Sequence, residues 1–257
     1  MLAVRLILVV LLGAAAAHAD TGSSLGDRVG EGSTPFTGLA QAPEANLFTG
    51  SLTTAIPLEL PPGRGGMTPQ LALQYSSGGG PSPFGYGWDL PLGRIERSSA
   101  WGTPRCVGAH IDEFVLVLPT GSAELVRESS GSTYYRPKVE EAWVRAEKRV
   151  AENQWRVVDR SGRVYTFGDV ESARVATSTP ATFMSQSGTT CDFTAVWALT
   201  HVEDPNGNAI DVTWSKIFNT LYPATIRWGA NSHAGVPHVY VARLLPAWRA
   251  PLDRLVS

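Results

Sequence analysis

Short apolar runs that alternate with polar residues recur along most of this chain, and turn-forming residues separate them. The first two runs cover residues 56–60 and 71–75, with a Pro/Gly-rich connection between them. Alternation with a period of two is typical of half-buried strands, and Pro57 favours an edge or irregular strand. The pattern therefore predicts a hairpin with a long connection at the start of the folded region.

Three later units have the same order of strand, glycine-containing turn and strand. They cover residues 114–126, 155–167 and 196–214. The Ser-Gly and Asn-Gly pairs in their turns supply residues that tolerate positive φ, which tight hairpin turns need. The units are spaced too irregularly to be strict repeats. We predict an all-β fold of antiparallel hairpins.

One segment, residues 139–150, fits two periodicities. Helical spacing fits Val139, Trp143, Ala146 and Val150. Strand spacing fits the residues from Val144 onward, but less well. Local propensity favours a helix and the neighbouring hairpins favour a strand. We expect a strand, because context often overrides propensity, with the helix as the alternative.

Composition supports this fold class and excludes one class of partner. The 257 residues include 26 Gly and 18 Pro, so many turns and few long helices are expected. Lys and Arg number 21 and Asp and Glu number 23, which gives a formal net charge of −2. Without a basic excess to neutralise phosphates, nucleic acid is not predicted as a partner.

The N-terminus has the anatomy of a signal peptide. Arg5 precedes the apolar run 6–17, and Ala17-His18-Ala19 forms a small-x-small cleavage pattern. The run is shorter than the roughly 20 residues that span a bilayer, which argues against a membrane anchor. We predict cleavage after residue 19, no membrane span after cleavage, and a secreted or extracellular protein, with the periplasm and the cell surface left open.

The remaining chain divides into two parts. Residues 20–45 are rich in Gly, Ser, Thr and Pro, and we expect a mobile segment there. Residues 46–257 are predicted to form the β domain. Cys106 and Cys191 are an even pair, and an exported protein favours a disulfide between them. Two unrelated thiols are the alternative.

No pattern marks an active site, a cofactor site or a metal site. Residues 76–80 and 204–208 are interpreted as turns, since they lack the spacing of a phosphate loop and of a calcium loop. No Gly-x-Ser-x-Gly elbow occurs, although a pair of carboxylates such as Asp112 and Glu113 leaves a hydrolase open. The histidines are interpreted as surface or loop residues: His110, His201, His233 and His238.

Residues 50–88 carry ordered motifs that closely resemble the opening of the Salmonella virulence-plasmid B-protein family. The same opening starts the B components of insecticidal toxin complexes and some RHS/YD-repeat proteins. Later segments up to about residue 229 also look like that family's downstream hairpins. The structural motif residues are Pro57, Pro61, Pro62, Gly63, Pro69, Tyr75, Gly85, Gly87 and Trp88.

The resemblance implies a role as a structural part of a secreted bacterial toxin or RHS-type virulence system. Its fold would be part of an RHS/YD-like β-shell, incomplete because the chain is short for the family. The implied partners are other toxin-complex or RHS subunits, or a C-terminal toxic polypeptide.

The Glu-x-Glu pair of the family's ADP-ribosyltransferase domain occurs nowhere in the sequence. We therefore expect that domain to be absent and the chain not to be an enzyme. An extracellular module that binds a glycan or a protein is the alternative function.

Overall fold

The fold is described from a computed structural model that places residues 2–5, 44–45, 50–104, 110–139, 143–180 and 190–248. These residues form strands and two short 3-10 helices, Arg64–Gly66 and Glu171–Ala173. The strands are β1 (Leu2–Arg5), β2 (Glu44–Ala45), β3 (Leu52–Pro57), β4 (Ala72–Ser76), β5 (Pro81–Ser82), β6 (Gly85–Tyr86), β7 (Trp88–Asp89), β8 (Arg94–Arg97), β9 (Phe114–Leu118), β10 (Gly121–Arg127), β11 (Tyr134–Pro137), β12 (Val144–Arg149), β13 (Gln154–Asp159), β14 (Val164–Phe167), β15 (Arg174–Pro180), β16 (Thr190–Glu203), β17 (Asn208–Ile217), β18 (Thr220–Asn231), β19 (Tyr240–Arg243) and β20 (Leu245–Trp248).

Eight strands close into an antiparallel barrel. Strands β8 to β14 pair in chain order, as short hairpin turns favour. Strand β16 then pairs with β14 along one edge and with β8 along the other, which joins the two ends of the sheet. Closure removes the unpaired edges that an open sheet of these strands would expose.

The barrel interior holds the main hydrophobic core. Successive side chains of a strand point to opposite faces, so every second residue of the barrel strands faces inward. Four rings meet there edge to face, with centroids 4.8–6.0 Å apart. Such pairs add about 0.5–1.5 kcal/mol each beyond the burial of their surface. The rings are those of Phe114, Tyr135, Trp155 and Trp197.

Strand β16 also begins a second sheet region outside the barrel. Its C-terminal end pairs with β17, which continues antiparallel to β18 and β19, and its N-terminal part pairs with β15. The β16–β17 turn follows from residue chemistry: the Asp204 carboxylate accepts the backbone N–H groups of Asn206 and Asn208, and Gly207 has φ +80°.

Three smaller sheets complete the described chain. Strands β2, β3, β4 and β7 form a four-stranded sheet, β5 pairs with β6, and β1 pairs with β20. The all-β antiparallel prediction is confirmed, and the ambiguous segment 139–150 contains strand β12. Within the described ranges, no helix has the length and apolar character needed to cross a membrane.

Candidate functional site

The first group of motif residues lies in the loop 61–69, which we call the signature loop. Its Pro61 carbonyl accepts the indole N–H of Trp228 on β18 at 3.0 Å, and Arg64 Nε donates to the Gly229 carbonyl at 3.2 Å. A Cβ on Gly63 would lie 2.0 Å from the Met67 carbonyl oxygen, so no larger residue fits there. The signature loop therefore fastens the four-stranded sheet of β2, β3, β4 and β7, which we call the N-terminal sheet, to β18.

The second group of motif residues joins β4 to the loop that follows it. The rings of Tyr75 and Trp88 lie 5.2 Å apart, and these residues are direct partners in the β4–β7 pairing. Gly87 has φ +78°, and a Cβ there would lie 2.6 Å from the Ser76 carbonyl oxygen. The bare glycine is therefore required for the close approach of the two chain segments.

The other motif residues have simpler roles. Pro57 is the last residue of β3 and lies opposite Ala72. Gly85 lies in β6 with φ +123°, a conformation that side chains rarely adopt. Pro62 is exposed, and Pro69 is half-buried beside a cavity under the signature loop.

A surface groove of about 610 Å³ runs beside the Tyr75–Trp88 pair. Its walls come from β3, β4, β7 and the segment 79–83, which contains β5, and they carry both hydroxyl and aromatic groups. The arrangement could receive a polar chain segment or a sugar, because aromatic faces and hydroxyls lie side by side. The lining includes Thr54, Gln74, Tyr75, Ser82, Trp88, Asp89 and Arg94.

A second polar cluster, the His–Asp latch, connects β16, β17 and the connection to β19. Asp211 Oδ1 accepts His201 Nδ1–H at 2.6 Å, and its Oδ2 accepts His238 Nε2–H at 2.6 Å. His201 Nε2 lies 3.2 Å from Glu203, whose other oxygen accepts the Ser232 hydroxyl at 3.1 Å. One carboxylate thus holds two histidines from different parts of the chain.

The electrostatics of the latch follow from these hydrogen bonds. The bond to Asp211 raises the pKa of His201 above its ordinary value of 6.5, against the opposing effect of partial burial. Desolvation alone would raise the pKa of Asp211, but the hydrogen bonds from His201 and His238 outweigh it and hold that pKa below 3.8. The cluster favours an imidazolium–carboxylate pair.

The interpretation of the histidines needs one correction. Three of the four lie in turns or loops, whereas His201 lies in the middle of a paired strand and is about two-thirds buried. The signal was present in the hairpin register: the turn 204–208 places His201 directly opposite Asp211. Cross-strand opposite charges of this kind stabilise a sheet.

The carboxylate pair considered for hydrolysis is divided between separate ion pairs. Asp112 lies 2.6 Å from Arg127, and Glu113 bonds to His110 and accepts the indole N–H of Trp101 at 2.9 Å. The hydrogen bond from His110 is the main cause that lowers the pKa of Glu113. A general acid for glycoside hydrolysis needs the opposite shift.

Two other site expectations meet the limits of the described residues. Cys106 lies outside them, and Cys191 lies in β16 in register with Thr179, so the disulfide stays a prediction. Across the described ranges, no group of three or more His, Cys, Asp or Glu residues is arranged to hold a metal ion.

Curated proteins that resemble the chain include mono(ADP-ribosyl)transferase SpvB of Salmonella choleraesuis strain SC-B67, with 30% identity over 158 residues. This match covers 53% of the chain and 27% of the transferase. The chain therefore spans about a quarter of the length of the curated relatives that it matches.

Two solved structures share the fold. The TcdB2-TccC3 structure matches with a TM-score of 0.56 and 22% identity, covering 86% of this chain and 11% of that one. The N-terminal domain of the effector protein SpvB from Salmonella typhimurium strain LT2 matches with a TM-score of 0.53 and 22% identity, covering 72% and 69%. These matches show the fold that the resemblance implied.

The expectation that the chain is not an enzyme is wrong on this comparison. Its curated relatives are named mono(ADP-ribosyl)transferases. The expectation relied on the missing Glu-x-Glu pair, and the matched part is 27% of the relative's length, with the solved SpvB match being an N-terminal domain. The named activity is that of these relatives, of whose length this chain matches about a quarter.

The family itself is established by a match over most of the folded region. The family description of the Salmonella virulence plasmid 65 kDa B protein matches residues 46–217, which is more than half of the chain. That range contains the signature loop, the Tyr75–Trp88 pair and the complete barrel. The chain therefore belongs to the SpvB family.

Proposed function

We propose that this chain is a scaffold segment of a toxin-related assembly. The observation that carries the proposal is that the motif residues join separate parts of the chain to one another. The signature loop bonds to β18 through Pro61 and Trp228, 167 positions apart, and Gly63 and Gly87 each lie where a side chain would clash. Residues used in this way supply a defined surface for partners.

The partners we propose are toxin-complex or RHS subunits, or a C-terminal toxic polypeptide. Support comes from the likeness to the TcdB2-TccC3 structure, which extends over 86% of this chain. The barrel, the N-terminal sheet and the β16–β19 sheet would form one wall of such an assembly. Sheet surfaces and edges suit this role, because strands of a partner can continue them.

The scaffold proposal is tested by co-expressing the exported chain with a Tc-type C-terminal toxic polypeptide. We expect the two to elute together in size-exclusion chromatography and the polypeptide to resist trypsin. Gly87→Ala should reduce co-elution, because it displaces the β4–β7 join. Gly80→Ala is the matched control, since nothing lies within 4 Å of a Cβ there. Separate elution and unchanged digestion would contradict the proposal.

Export through the leader at residues 1–19 is part of the proposal, and cleavage would remove β1 together with its pairing to β20. We expect secreted material to begin at Asp20, because Ala17 and Ala19 fit the small-x-small rule for cleavage. Intact-mass measurement of the secreted protein checks this. A mature N-terminus at Met1 would show that the leader is retained.

A specific observation supports a second candidate, an extracellular binding module for a glycan. The Trp101 side chain is 70% exposed, and its ring stacks on His110 with centroids 4.4 Å apart. Its indole N–H donates to Glu113, so the ring is held in one orientation. Exposed, fixed rings of this kind can stack on sugars. A glycan array compared with Trp101→Ala tests it, and no Trp101-dependent signal would reject it.

A further inference from the structure

Three cationic side chains converge at one end of the barrel interior. Arg97, Arg127 and Lys148 lie on β8, β10 and β12, each two residues after a fully buried apolar position, so they share the inner face. Lys148 Nζ lies 4.6 Å from the centroid of Phe114. The guanidinium of Arg97 lies 5.3 Å from the same ring.

The described residues do not balance this charge. Asp112 lies 2.6 Å from Arg127 and 3.5 Å from Lys148, so its single charge is closest to Arg127. Arg97 donates to the backbone carbonyls of Thr194 and Ile111, which are neutral. Desolvation lowers the pKa of both Lys148 and Arg97. A partly buried excess of positive charge is costly unless an anion offsets it.

Two of these cations, Arg97 and Lys148, line a cavity of about 380 Å³, which we call the barrel-end pocket. Arg149, which is paired with Glu147, also lines it. Lys148 lies directly opposite Trp155 in the β12–β13 register, and both line the pocket with Arg97. Asn153 and Gln154 add amide groups, and the exposed Asp192 contributes the pocket's carboxylate. Polar groups therefore surround an aromatic floor.

The strongest sign of a missing ligand is the indole N–H of Trp155. Trp155 is fully buried, and its Nε1 has no hydrogen-bond acceptor among the residues that the structure describes. The other indoles of the core are satisfied: Trp197 donates to Asn153 and Trp214 to the Leu199 carbonyl. Buried donors are rarely left unpaired in native proteins.

We propose that the barrel-end pocket binds an oxyanion group, held by the Lys148 ammonium, the Arg97 guanidinium and the Trp155 indole N–H. Such a group is a carboxylate, or a phosphate or sulfate. It would neutralise the excess charge and accept the unpaired N–H. The site is independent of the scaffold role and adds a ligand to it.

The first test is an NMR titration of the ¹⁵N-labelled full chain with sodium sulfate, phosphate or acetate, at ionic strength held constant with chloride. We expect the Trp155 indole resonance to shift saturably with at least one of these anions. The Trp228 resonance is the internal control, because its N–H is already bonded to Pro61. An unmoved Trp155 resonance, or one that moves in step with Trp228, would overturn the proposal.

The second test replaces one cation. Lys148→Met keeps an unbranched side chain beside Phe114 but removes the charge. It should raise the dissociation constant of the bound anion at least about tenfold, since a charge-assisted hydrogen bond is lost. Lys138→Met is the matched control, because Lys138 is exposed and pairs with Glu124 outside the pocket. Equal affinity in both variants would overturn the proposal.

The titrations with different anions distinguish a carboxylate ligand from a phosphate or sulfate ligand. Saturation by acetate with no response to phosphate or sulfate assigns a carboxylate, such as that of an acidic peptide segment. The reverse result assigns a tetrahedral oxyanion. If Lys148→Met fails to fold, the wild-type titration alone decides, because it needs no substitution.

Discussion

At the scale of single residues, Asp211 shows how one carboxylate can connect distant segments. It accepts hydrogen bonds from His201 on β16 and from His238 beyond β18. Charge-assisted bonds of this kind contribute about 1.5–3 kcal/mol when well buried. His201 and Asp211 are each about a third exposed, so solvent screening keeps the contribution near the lower end.

The His–Asp latch predicts a pH-dependent contribution to stability. The raised pKa of His201 means that its contribution is fully present below about pH 6.5 and is lost as the pH rises through the raised value. The lowered pKa of Asp211 means that its contribution is present above pH 3.8 and is lost as the pH falls through the lowered value. The latch should therefore be strongest between these limits.

Asp211→Asn is expected to lower the free energy of unfolding by about 1–2 kcal/mol near pH 5.5 and by less at pH 9. Urea denaturation at both pH values measures the two losses. Asp169→Asn is the control, because Asp169 is an exposed carboxylate outside the latch. An equal loss at both pH values would show that the His201 charge does not contribute.

The signature loop gives a second residue-scale prediction. A methyl group on Gly63 would meet the Met67 carbonyl at 2.0 Å and Trp228 at 3.2 Å, although the φ of −80° suits any residue. Gly63→Ala should destabilise the protein by about 1–3 kcal/mol through overpacking alone. Urea denaturation compares it with Gly80→Ala, and equal midpoints would show that the loop yields without cost.

At the scale of elements, the three later hairpins were predictable and their boundaries nearly so, whereas the strand predicted at residues 56–60 overlaps β3 only at Ile56 and Pro57. The unit predicted at residues 155–167 is β13 and β14, with Asp159 accepting the backbone N–H groups of the turn. Local rules suffice here, because turn residues and period-two patterns act within about ten residues. The motif residues were identified from resemblance, and their contacts with β18 needed the structure.

The segment 139–150 shows where local rules are insufficient. Four of the six residues of β12 are charged, and one of them, Lys148, faces the barrel interior. A strand with a charge on its inner face does not have the expected apolar alternation. The helical interpretation therefore stayed open until the pairing with β11 and β13 was known.

The predicted Cys106–Cys191 disulfide is also a question about elements. Strand β8, which precedes Cys106 in the chain, lies beside β16, which contains Cys191. Arg97 at the end of β8 donates its Nε–H to the Thr194 carbonyl, three positions from Cys191. Non-reducing peptide mapping of secreted protein should recover the linked peptides. In the chain-entropy model, reducing a disulfide that closes a loop of roughly 85 residues lowers the unfolding free energy by about 4–5 kcal/mol. Free thiols at both positions would reject the bond.

At the scale of the whole molecule, strand β16 connects the barrel to strands β17, β18 and β19, which we call the outer sheet. Its 14 residues pair with β8, β14, β15 and β17. The closing β14–β16 pair includes a register shift between Thr166 and Phe167, which no local pattern in the sequence indicates. Closure depends on this long-range pairing, so the barrel could not be derived from the hairpins alone.

Because β16 is shared, we predict that the barrel and the outer sheet unfold as one unit. Ile226 of β18 is fully buried and lies opposite Val212 and Ala242. Ile226→Ala should remove about 2–5 kcal/mol of stability through lost burial and a cavity. If β16 transmits that loss, the free energy of opening measured by hydrogen exchange should fall by the same amount for the amides of β12 and β13 as for those of β17 and β18.

Hydrogen exchange followed by mass spectrometry compares the two regions in the wild type and in Ile226→Ala. Val239→Ala is the control, because Val239 is 60% exposed and its truncation should leave both regions unchanged. A loss confined to β17, β18 and β19 would mean that the outer sheet opens while the barrel stays closed. In that case β16 would hold the barrel without its outer partners, and the scaffold would consist of two separate cooperative units.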